Sequence, residues 1–383
     1  MMGKLVRTNE MFHGANSLSE LKGIKGNKAV IVIGKESAKS SGSLKRVQAI
    51  LDEINIKHEV FSGVEPDPSI ETVMKGAEFM LQHNPDWIIG LGGCSSIDAA
   101  KTMWAVYEHP ELTLEVMVQG GTPPLRNKAR FVAIPTTSGT GTETTPLSVI
   151  TDRAKGVKYP IVCYDFLPDL SLVDGELCTT LPVNITANTG LDALTHSVEA
   201  YASNVDDNYA DAFAKGSISL VFDNLENAYN NPSDVNTRQK MHDASFLGGY
   251  AFANSWLGIA HSLAHQVGGM FGIPHGRANA IVLPNVVRYN SKSTDRYSDL
   301  AKLIGKETAE DFASGIEILR DKVNVPASFK ECNISEKEWN DKLKAMSQNA
   351  FDDVCTSFNP RVPTVEDMEK IFMACYNGTK VTF

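Results

Sequence analysis

The sequence predicts two domains: an α/β domain with a parallel sheet over residues 1–181, and an all-helical domain over residues 182–383. Up to about Leu181, short apolar runs alternate with helical segments, as in a parallel sheet covered by helices on both faces. Beyond Leu181 the strand-like runs fade, and long segments with helical periodicity follow. One continuous α/β domain is the alternative, and the shift in composition favours two domains.

The predicted strands of the first domain are short apolar runs bounded by glycine or polar residues. They are Lys28–Gly34, His58–Phe61, Asp86–Leu91, Arg130–Ile134, a hairpin of Ser148–Thr151 with Tyr159–Cys163, and Leu170–Val173. The helices between them are predicted over Ser43–Ile54, Ser69–Leu81 and Ser96–Tyr107, with Ser69 as an N-cap. In the second domain the predicted helices are Ala187–Ala202, Ala210–Tyr229, Thr237–Ala253 and Gly258–Phe271, and the chain from Ile281 onward is mainly helical.

Composition and charge exclude several classes of partner. The net charge is −10, with no basic run, which argues against nucleic acid. No stretch has the apolar length needed to span a membrane, and the N-terminus lacks the apolar core of a signal peptide. The six cysteines are far apart and form no CxxC pair, which is typical of reduced intracellular thiols. We therefore predict a cytoplasmic protein with a small-molecule substrate.

Two polar, glycine-rich loops follow predicted strands and predict a nucleotide site. In IIGLGGCSSIDAAK, the residues Gly92, Gly93, Ser95 and Ser96 open a helix, whose exposed amides and dipole favour a phosphate. Alone this signal is weak, because such a turn is often only a tight connection. A second loop, IPTTSGTGTETT over Ile134–Thr145, strengthens it, since ligands of open α/β sheets bind at the carboxyl ends of strands.

A scattered set of one carboxylate and four imidazoles predicts a metal site in the second domain. Asp192 and His196 are four residues apart, as are His261 and His265, so each pair lies on one helical face. His275 follows in a Gly/Pro-rich turn. Each of these residues taken singly is more often structural, but together, in Gly- and Ala-rich surroundings, they suit a catalytic divalent ion. Spacing alone leaves open which four of the five bind it.

Long motifs in the chain resemble those of the group III, iron-activated alcohol dehydrogenases. GGCSSIDAAK is similar to the family's GGGS-x-x-D-x-AK element, and IPTTSGTGTETT to its second nucleotide loop. TGLDALTHSVEAY, HSLAHQVGG and IPHGRANAIVLP resemble its metal region. VEPDPSIETVMKGAEFM, RNKARFVAIPTTSGTG and ANAIVLPNVVRYN read most like the alcohol dehydrogenase half of bifunctional aldehyde-alcohol dehydrogenases, and at this length we expect a stand-alone enzyme.

The resemblance implies a dinucleotide-binding first domain, a metal- and substrate-binding second domain, and roles for individual residues. It assigns the metal, Fe²⁺ or else Zn²⁺, to Asp192, His196, His261 and His275, and leaves His265 as a catalytic candidate for proton relay. It places the pyrophosphate on Gly92, Gly93, Cys94 and Ser95, and the nicotinamide and ribose on Thr136, Thr137, Ser138, Thr145 and Lys158. We also expect a homodimer or a higher homo-oligomer.

The chain departs from the family pattern at two places. Cys94 stands where the family has a third glycine, so either its φ is negative or the loop shifts. At the end of the first strand, NAD-preferring members carry an acidic residue, whereas this chain has Gly34, with Lys35, Ser37 and Lys39 after it. Lysines and hydroxyls suit a 2′-phosphate, so we favour NADP(H) over NAD(H). The alternative is that the lysines are solvated and the enzyme accepts NAD.

The resemblance implies reversible hydride transfer between a nicotinamide cofactor and a small primary alcohol or aldehyde, with the metal as Lewis acid. One alternative is a reductase for a substituted or anionic aldehyde, or another enzyme of the dehydroquinate synthase-like fold. A second is a nucleotide-binding protein without turnover, which the complete set of ligand positions disfavours. The sequence does not identify the alcohol.

Overall fold

The computed structural model describes residues 5–155 and 157–383, which form two compact units. The first unit holds the described residues up to Thr137, together with Gly141–Leu181 and Ser233–His242. The second holds Ser138–Thr140, Pro182–Pro232 and Asp243–Phe383. A parallel sheet with helices in one part of the chain and helices throughout the other confirm the predicted fold class.

Eight strands lie in the described part of the chain. They are β1 (Glu10–His13), β2 (Lys28–Gly34), β3 (Lys57–Val64), β4 (Trp87–Gly92), β5 (Arg130–Pro135), β6 (Leu147–Asp152), β7 (Val157–Val162) and β8 (Leu170–Val173). Six of these form one parallel sheet in the order β1-β8-β5-β4-β2-β3, and β6 pairs antiparallel with β7. The predicted hairpin is therefore present. The sequence reading missed β1, because this four-residue edge strand is largely exposed and shows no apolar run.

Fourteen α-helices lie in the same described ranges. They are α1 (Ser37–Ser40), α2 (Ser43–Glu53), α3 (Ile70–His83), α4 (Cys94–Glu108), α5 (Leu114–Val118), α6 (Val183–Ala202), α7 (Asn208–Asn230), α8 (Val235–Ser255), α9 (Ile259–Phe271), α10 (His275–Asn290), α11 (Arg296–Leu303), α12 (Ala309–Lys322), α13 (Glu336–Asp352) and α14 (Val365–Asn377). Ser69 caps α3 as predicted, its hydroxyl accepting from the Thr72 amide. One prediction is wrong: His275 begins α10 after Pro274, rather than lying in a turn.

Side chains of the central strands bury alternately on the two faces of the sheet. In β2, Val30 and Val32 pack with Met103 and Trp104 of α4 in one core cluster. Ile31 and its neighbours two residues away face the opposite cluster, which contains residues of α2. Because both faces of a parallel sheet are covered, its inner strands are continuously apolar. That apolar character is why the sequence identifies them. No helix in the described ranges meets the length and hydropathy of a membrane span.

Candidate metal and cofactor sites

Three helices of the second unit bring together the carboxylate and imidazoles predicted to bind metal. Asp192 lies on α6, His261 on α9, and His275 at the start of α10. One ligand atom from each lies within 4.8 Å of the other two. The oxygen Oδ1 of Asp192 is 3.7 Å from Nε2 of His275. These three predicted ligands therefore converge on one point.

His196 lies beside this group, one turn after Asp192 on α6. Its ring centroid is 4.5 Å from that of His261, and its ring also stacks on that of Phe252 with centroids 4.7 Å apart. Its Nδ1 is buried and has no hydrogen-bond partner among the described residues. Burial lowers the pKa of His196, so the neutral imidazole, the form that binds metal, is favoured. The fourth predicted ligand is thus adjacent to the other three, although it is not one of the converging set.

Close approach of α10 to α6 depends on Gly276, the residue after His275. A Cβ at this position would lie 2.1 Å from the backbone oxygen of Asn188, a contact that no side chain tolerates. Close packing of α10 on α6 therefore requires glycine at position 276. It also explains why His275 reaches Asp192 from the first turn of α10.

Asn279 occupies the centre of the group and was not predicted from the sequence. Its amide nitrogen donates to Oδ1 of Asp192 at 2.8 Å, and lies 3.2 Å from Nε2 of both His261 and His275. Its Oδ1 is buried and lacks a hydrogen-bond partner in the described chain. The available signal was its spacing, because it follows His275 by four residues and so shares its helical face.

Glu199 orients His261 from behind and was also missed. Its Oε2 lies 2.5 Å from Nδ1 of His261, and its Oε1 accepts from the Ala260 amide at 2.6 Å. A carboxylate on Nδ1 fixes the tautomer that leaves the Nε2 lone pair available to an ion. Burial lowers the pKa of His261 well below its ordinary value and raises that of Glu199 to about 8. The charge of a divalent ion on His261 would favour the ionised carboxylate of Glu199. The sequence feature that could have identified Glu199 is again its spacing, because it follows His196 by three residues.

This donor set fits a divalent transition metal. Three acceptors, one of them a carboxylate, surround a single point, and no lysine or arginine neutralises them in the contacts described above. The orphaned atoms Nδ1 of His196 and Oδ1 of Asn279 show that the polar groups here are not satisfied by one another alone. Imidazoles with a carboxylate are ligands that iron and zinc take in catalytic sites.

His265 lies one turn after His261 on α9 and at the edge of the group. Its ring stacks on that of His275, with centroids 5.4 Å apart. Its Nδ1 is 2.9 Å from Oδ2 of Asp353, and its side chain is 39% exposed, unlike that of His261 at 2%. His265 is therefore a half-exposed imidazole with its own carboxylate partner, and His275 is similarly exposed at 37%, whereas His196 and His261 are buried.

The first glycine-rich loop joins β4 to α4 in the first unit. Gly92 has φ +145°, and a Cβ there would lie 2.7 Å from Oγ of Ser96, so glycine is required. Cys94 is instead the first residue of α4 and has no positive φ. Of the two outcomes considered for Cys94, the unstrained φ is the one observed. Cys94 and Ser95 remain partly exposed at this helix N-terminus.

The second loop lies against the first at the ends of β4 and β5. The Thr136 amide donates to the Gly92 oxygen at 2.9 Å, and a Cβ on Gly93 would lie 3.3 Å from the side chain of Thr137. Thr145 and Ser138 are buried. Lys158, on β7, instead pairs with Asp67, its Nζ lying 2.6 Å from Oδ1.

The end of β2 contributes Gly34 to the same edge of the sheet. A Cβ on Gly34 would lie 3.6 Å from Oγ of Ser96 and 3.8 Å from Oγ of Ser37. Lys35, Ser37 and Lys39 are exposed, and Lys39 lies 4.0 Å from the carboxylate of Glu36, which is also exposed. The structure therefore brings Gly34, Gly92, Gly93, Thr136 and Thr137 to one edge of the sheet.

Comparison with known proteins matches both parts of the chain to one enzyme family. Residues 8–175 match the family described as iron-containing alcohol dehydrogenase, and residues 186–376 match the C-terminal part of the Fe-containing alcohol dehydrogenase family. The chain is 44% identical to an NADPH-dependent butanol dehydrogenase of Clostridium saccharobutylicum, over 100% of both chains.

Two further comparisons extend the match. An aldehyde-alcohol dehydrogenase of Streptococcus pneumoniae serotype 4 is 38% identical over 95% of this chain, which spans only 45% of that protein. The structure of an iron-containing alcohol dehydrogenase from Thermococcus thioreducens has a TM-score of 0.90 at 30% identity, over 98% of this chain and 100% of that one. The resemblance drawn from the sequence motifs is confirmed. This chain belongs to the iron-containing alcohol dehydrogenase family and is a metal-dependent alcohol dehydrogenase.

Proposed function

We propose that this alcohol dehydrogenase carries out reversible hydride transfer between NADP(H) and a small primary alcohol or aldehyde, with Fe²⁺ as its metal. The observation that carries the proposal is the convergence of Asp192, His261 and His275, with His196 beside them. When bound, the ion supplies Lewis-acid chemistry to the alcohol or carbonyl oxygen, and the nicotinamide supplies or accepts the hydride.

Iron is proposed as the metal, and these four residues as its ligands. The family match supports iron. The three imidazoles and the carboxylate support a first-row divalent ion without distinguishing iron from zinc. Glu199 holds His261 in the ligating tautomer, and His265, with Asp353 on its Nδ1, is proposed to pass the alcohol proton toward solvent.

The choice of NADP(H) over NAD(H) rests on the region after β2. Gly34 carries no carboxylate that would bind a ribose 2′-hydroxyl and repel a 2′-phosphate. Exposed Lys35 and Lys39 lie nearby, and the Clostridium relative is named NADPH-dependent. Glu36 in the same turn argues against this choice, because its carboxylate would repel a 2′-phosphate. Its proximity to Lys39 reduces that repulsion.

The remaining assignments are carried by the sequence motifs and the placement of the loops. We propose that the dinucleotide binds to residues 1–181 and the metal and substrate to residues 182–383. The cofactor-contacting residues are proposed to be Gly34, Lys35, Ser37, Lys39, Gly92, Gly93, Cys94, Ser95, Thr136, Thr137, Ser138, Thr145 and Lys158. The homo-oligomeric state and the cytoplasmic location stay predictions.

The test is a substrate and cofactor screen on enzyme reconstituted with Fe²⁺ or Zn²⁺. Oxidation of NADPH and NADH is followed with short unbranched aldehydes, with anionic aldehydes of equal length, and after chelation. We expect metal-dependent turnover with the unbranched aldehydes and a preference for NADPH. Turnover that survives complete metal removal would contradict the proposed chemistry, and a preference for the anionic aldehydes would replace the proposed substrate class.

A further inference from the structure

Two buried charged residues on α4 have no role in the chemistry proposed above. Asp98 and Lys101 belong to the GGCSSIDAAK motif, and both side chains are almost completely buried in the first unit. We propose that Asp98 and Lys101 form a positioning pair that fixes the loop Ile134–Thr145 to α4 and thereby sets the affinity for the nicotinamide cofactor without contacting it. This inference rests on the proposed function, because it takes that loop to be part of the cofactor site.

Lys101 holds the C-terminal end of the loop through its backbone. Its Nζ donates to the carbonyl oxygens of Thr142 at 2.6 Å, Leu147 at 2.8 Å and Thr145 at 3.0 Å. Three carbonyl acceptors match the three protons of one ammonium group. The Thr142 oxygen also accepts from the Thr145 amide at 3.2 Å. Removing Lys101 would take the charged donor from all three carbonyls, and a hydrogen bond to a charged group contributes about 1.5–3 kcal/mol. The ammonium therefore fixes the direction in which this part of the loop turns.

Asp98 holds the same segment from the preceding turn of the helix. Its Oδ1 accepts from the Thr142 hydroxyl at 2.6 Å, and its Oδ2 accepts from the Val149 amide at 2.9 Å. Thr142 is the shared element, because its Oγ1 also lies 3.1 Å from Nζ of Lys101. One hydroxyl thus connects both charges to the loop.

Asp98 and Lys101 lie on α4, the helix that follows the first glycine-rich loop. Gly93 precedes α4 and lies against Thr137, so the two loops meet at one end of the helix while Thr142 is held one turn or more further along. The loop between these anchors contains Gly139 and Gly141, and glycine has the largest backbone freedom to lose. Two anchors at its ends are therefore needed to keep Thr136 and Thr137 in a single arrangement.

Burying this pair is not explained by stability. Burial lowers the pKa of Lys101 and raises that of Asp98, and each charge only partly offsets the effect on the other. Buried ion pairs often add little to stability compared with apolar residues of similar size, and in some proteins they select one conformation instead. A role in fixing one loop conformation accounts for the many directed hydrogen bonds.

The test removes the shared hydroxyl while keeping both charges and the side-chain shape. Thr142→Val deletes Oγ1, and Thr142→Ser keeps it. The matched control is Thr102→Val, which removes a buried hydroxyl of the same helix that bonds to Ser148 and does not touch the loop. Dissociation constants for NADPH and NADH are measured by fluorescence titration, and amide hydrogen exchange is measured over residues 134–145 without cofactor.

We expect Thr142→Val to raise the dissociation constant of the preferred cofactor roughly tenfold, which corresponds to the loss of about one hydrogen bond to a charged group. Exchange in the loop should accelerate in the same variant, while Thr142→Ser and Thr102→Val stay close to wild type in both measurements. Unchanged binding and exchange in Thr142→Val would overturn the proposal, as would equal weakening in Thr102→Val. If the wild-type enzyme binds cofactor but shows no turnover of any aldehyde, that result would count against the proposed function alone.

Discussion

Glu199 and His261 form the shortest contact around the predicted metal ligands, 2.5 Å from Oε2 to Nδ1. The carboxylate also accepts from the Ala260 amide, so the start of α9 and the orientation of the imidazole are fixed by one residue of α6. Because both side chains are buried, water cannot replace either partner without cost.

This relationship predicts that Glu199→Gln weakens metal binding without removing a ligand. The amide oxygen still accepts from His261, but its lost charge makes the ring a poorer ligand. We expect metal affinity to fall on the order of tenfold to a hundredfold. Metal content measured against a chelator series checks this, and an affinity equal to wild type would remove Glu199 from the site.

Cofactor choice is predicted to change with Gly34→Asp. The nearest atoms to a new Cβ are 3.6 Å away, an ordinary contact, so the substitution is sterically acceptable. The carboxylate should repel a 2′-phosphate and bind a 2′-hydroxyl, shifting the ratio of kcat/KM toward NADH by at least about tenfold. Gly34→Ala is the control for added bulk. If the NADH/NADPH ratio stays the same in Gly34→Asp, the 2′ position is recognised elsewhere.

His265→Ala is predicted to lower kcat while leaving metal content and melting temperature unchanged. The half-exposed imidazole with Asp353 on Nδ1 is placed to move a proton to solvent, and loss of such a group costs on the order of a hundredfold. Asp353→Asn should show a smaller decrease in kcat with KM retained, because it disturbs the orientation of the ring only. Loss of metal in His265→Ala would make it a ligand and displace one of the four proposed.

Glu143 is predicted to make folding stability depend on pH. Burial raises its pKa from the ordinary 4.5 to about 7, so the folded chain holds this proton more tightly than the unfolded chain. Its contribution is therefore fully present below about pH 4.5 and is lost as the pH rises through about 7, a change on the order of 3 kcal/mol.

Denaturant unfolding of wild type and Glu143→Gln at pH 5 and pH 8 measures this effect. As the pH rises from 5 to 8, the free energy of unfolding of wild type should decrease relative to that of the variant. A difference between the two proteins that is constant with pH would show that Glu143 does not hold its proton near neutrality.

The sequence predicted the inner strands and most of the helices because their apolar periodicity reflects burial that is local to each element. The edge strand β1 escaped because four exposed residues carry no such pattern. His275 was placed in a turn because Gly and Pro surround it, although Pro before the first residue of a helix and Gly in its first turn are compatible with a helix start.

Residues that support the predicted site were harder to find than its ligands. Glu199 and Asn279 lie near predicted ligands in sequence, but only tertiary packing shows which atoms they contact. Asp98 of α4 is turned inward to the Thr142 hydroxyl and the Val149 amide. Contacts of this kind join residues more than forty positions apart, and no local pattern encodes them.

The central claim, that metal held by the second unit is required for turnover, is tested most directly with His261→Ala. Metal content, NADPH binding and turnover of a short aldehyde are measured on one preparation of wild type and variant. We predict that the variant loses bound metal and turnover while still binding NADPH, because all four proposed ligands lie beyond Leu181. Turnover close to that of wild type in His261→Ala with no bound metal would contradict the account.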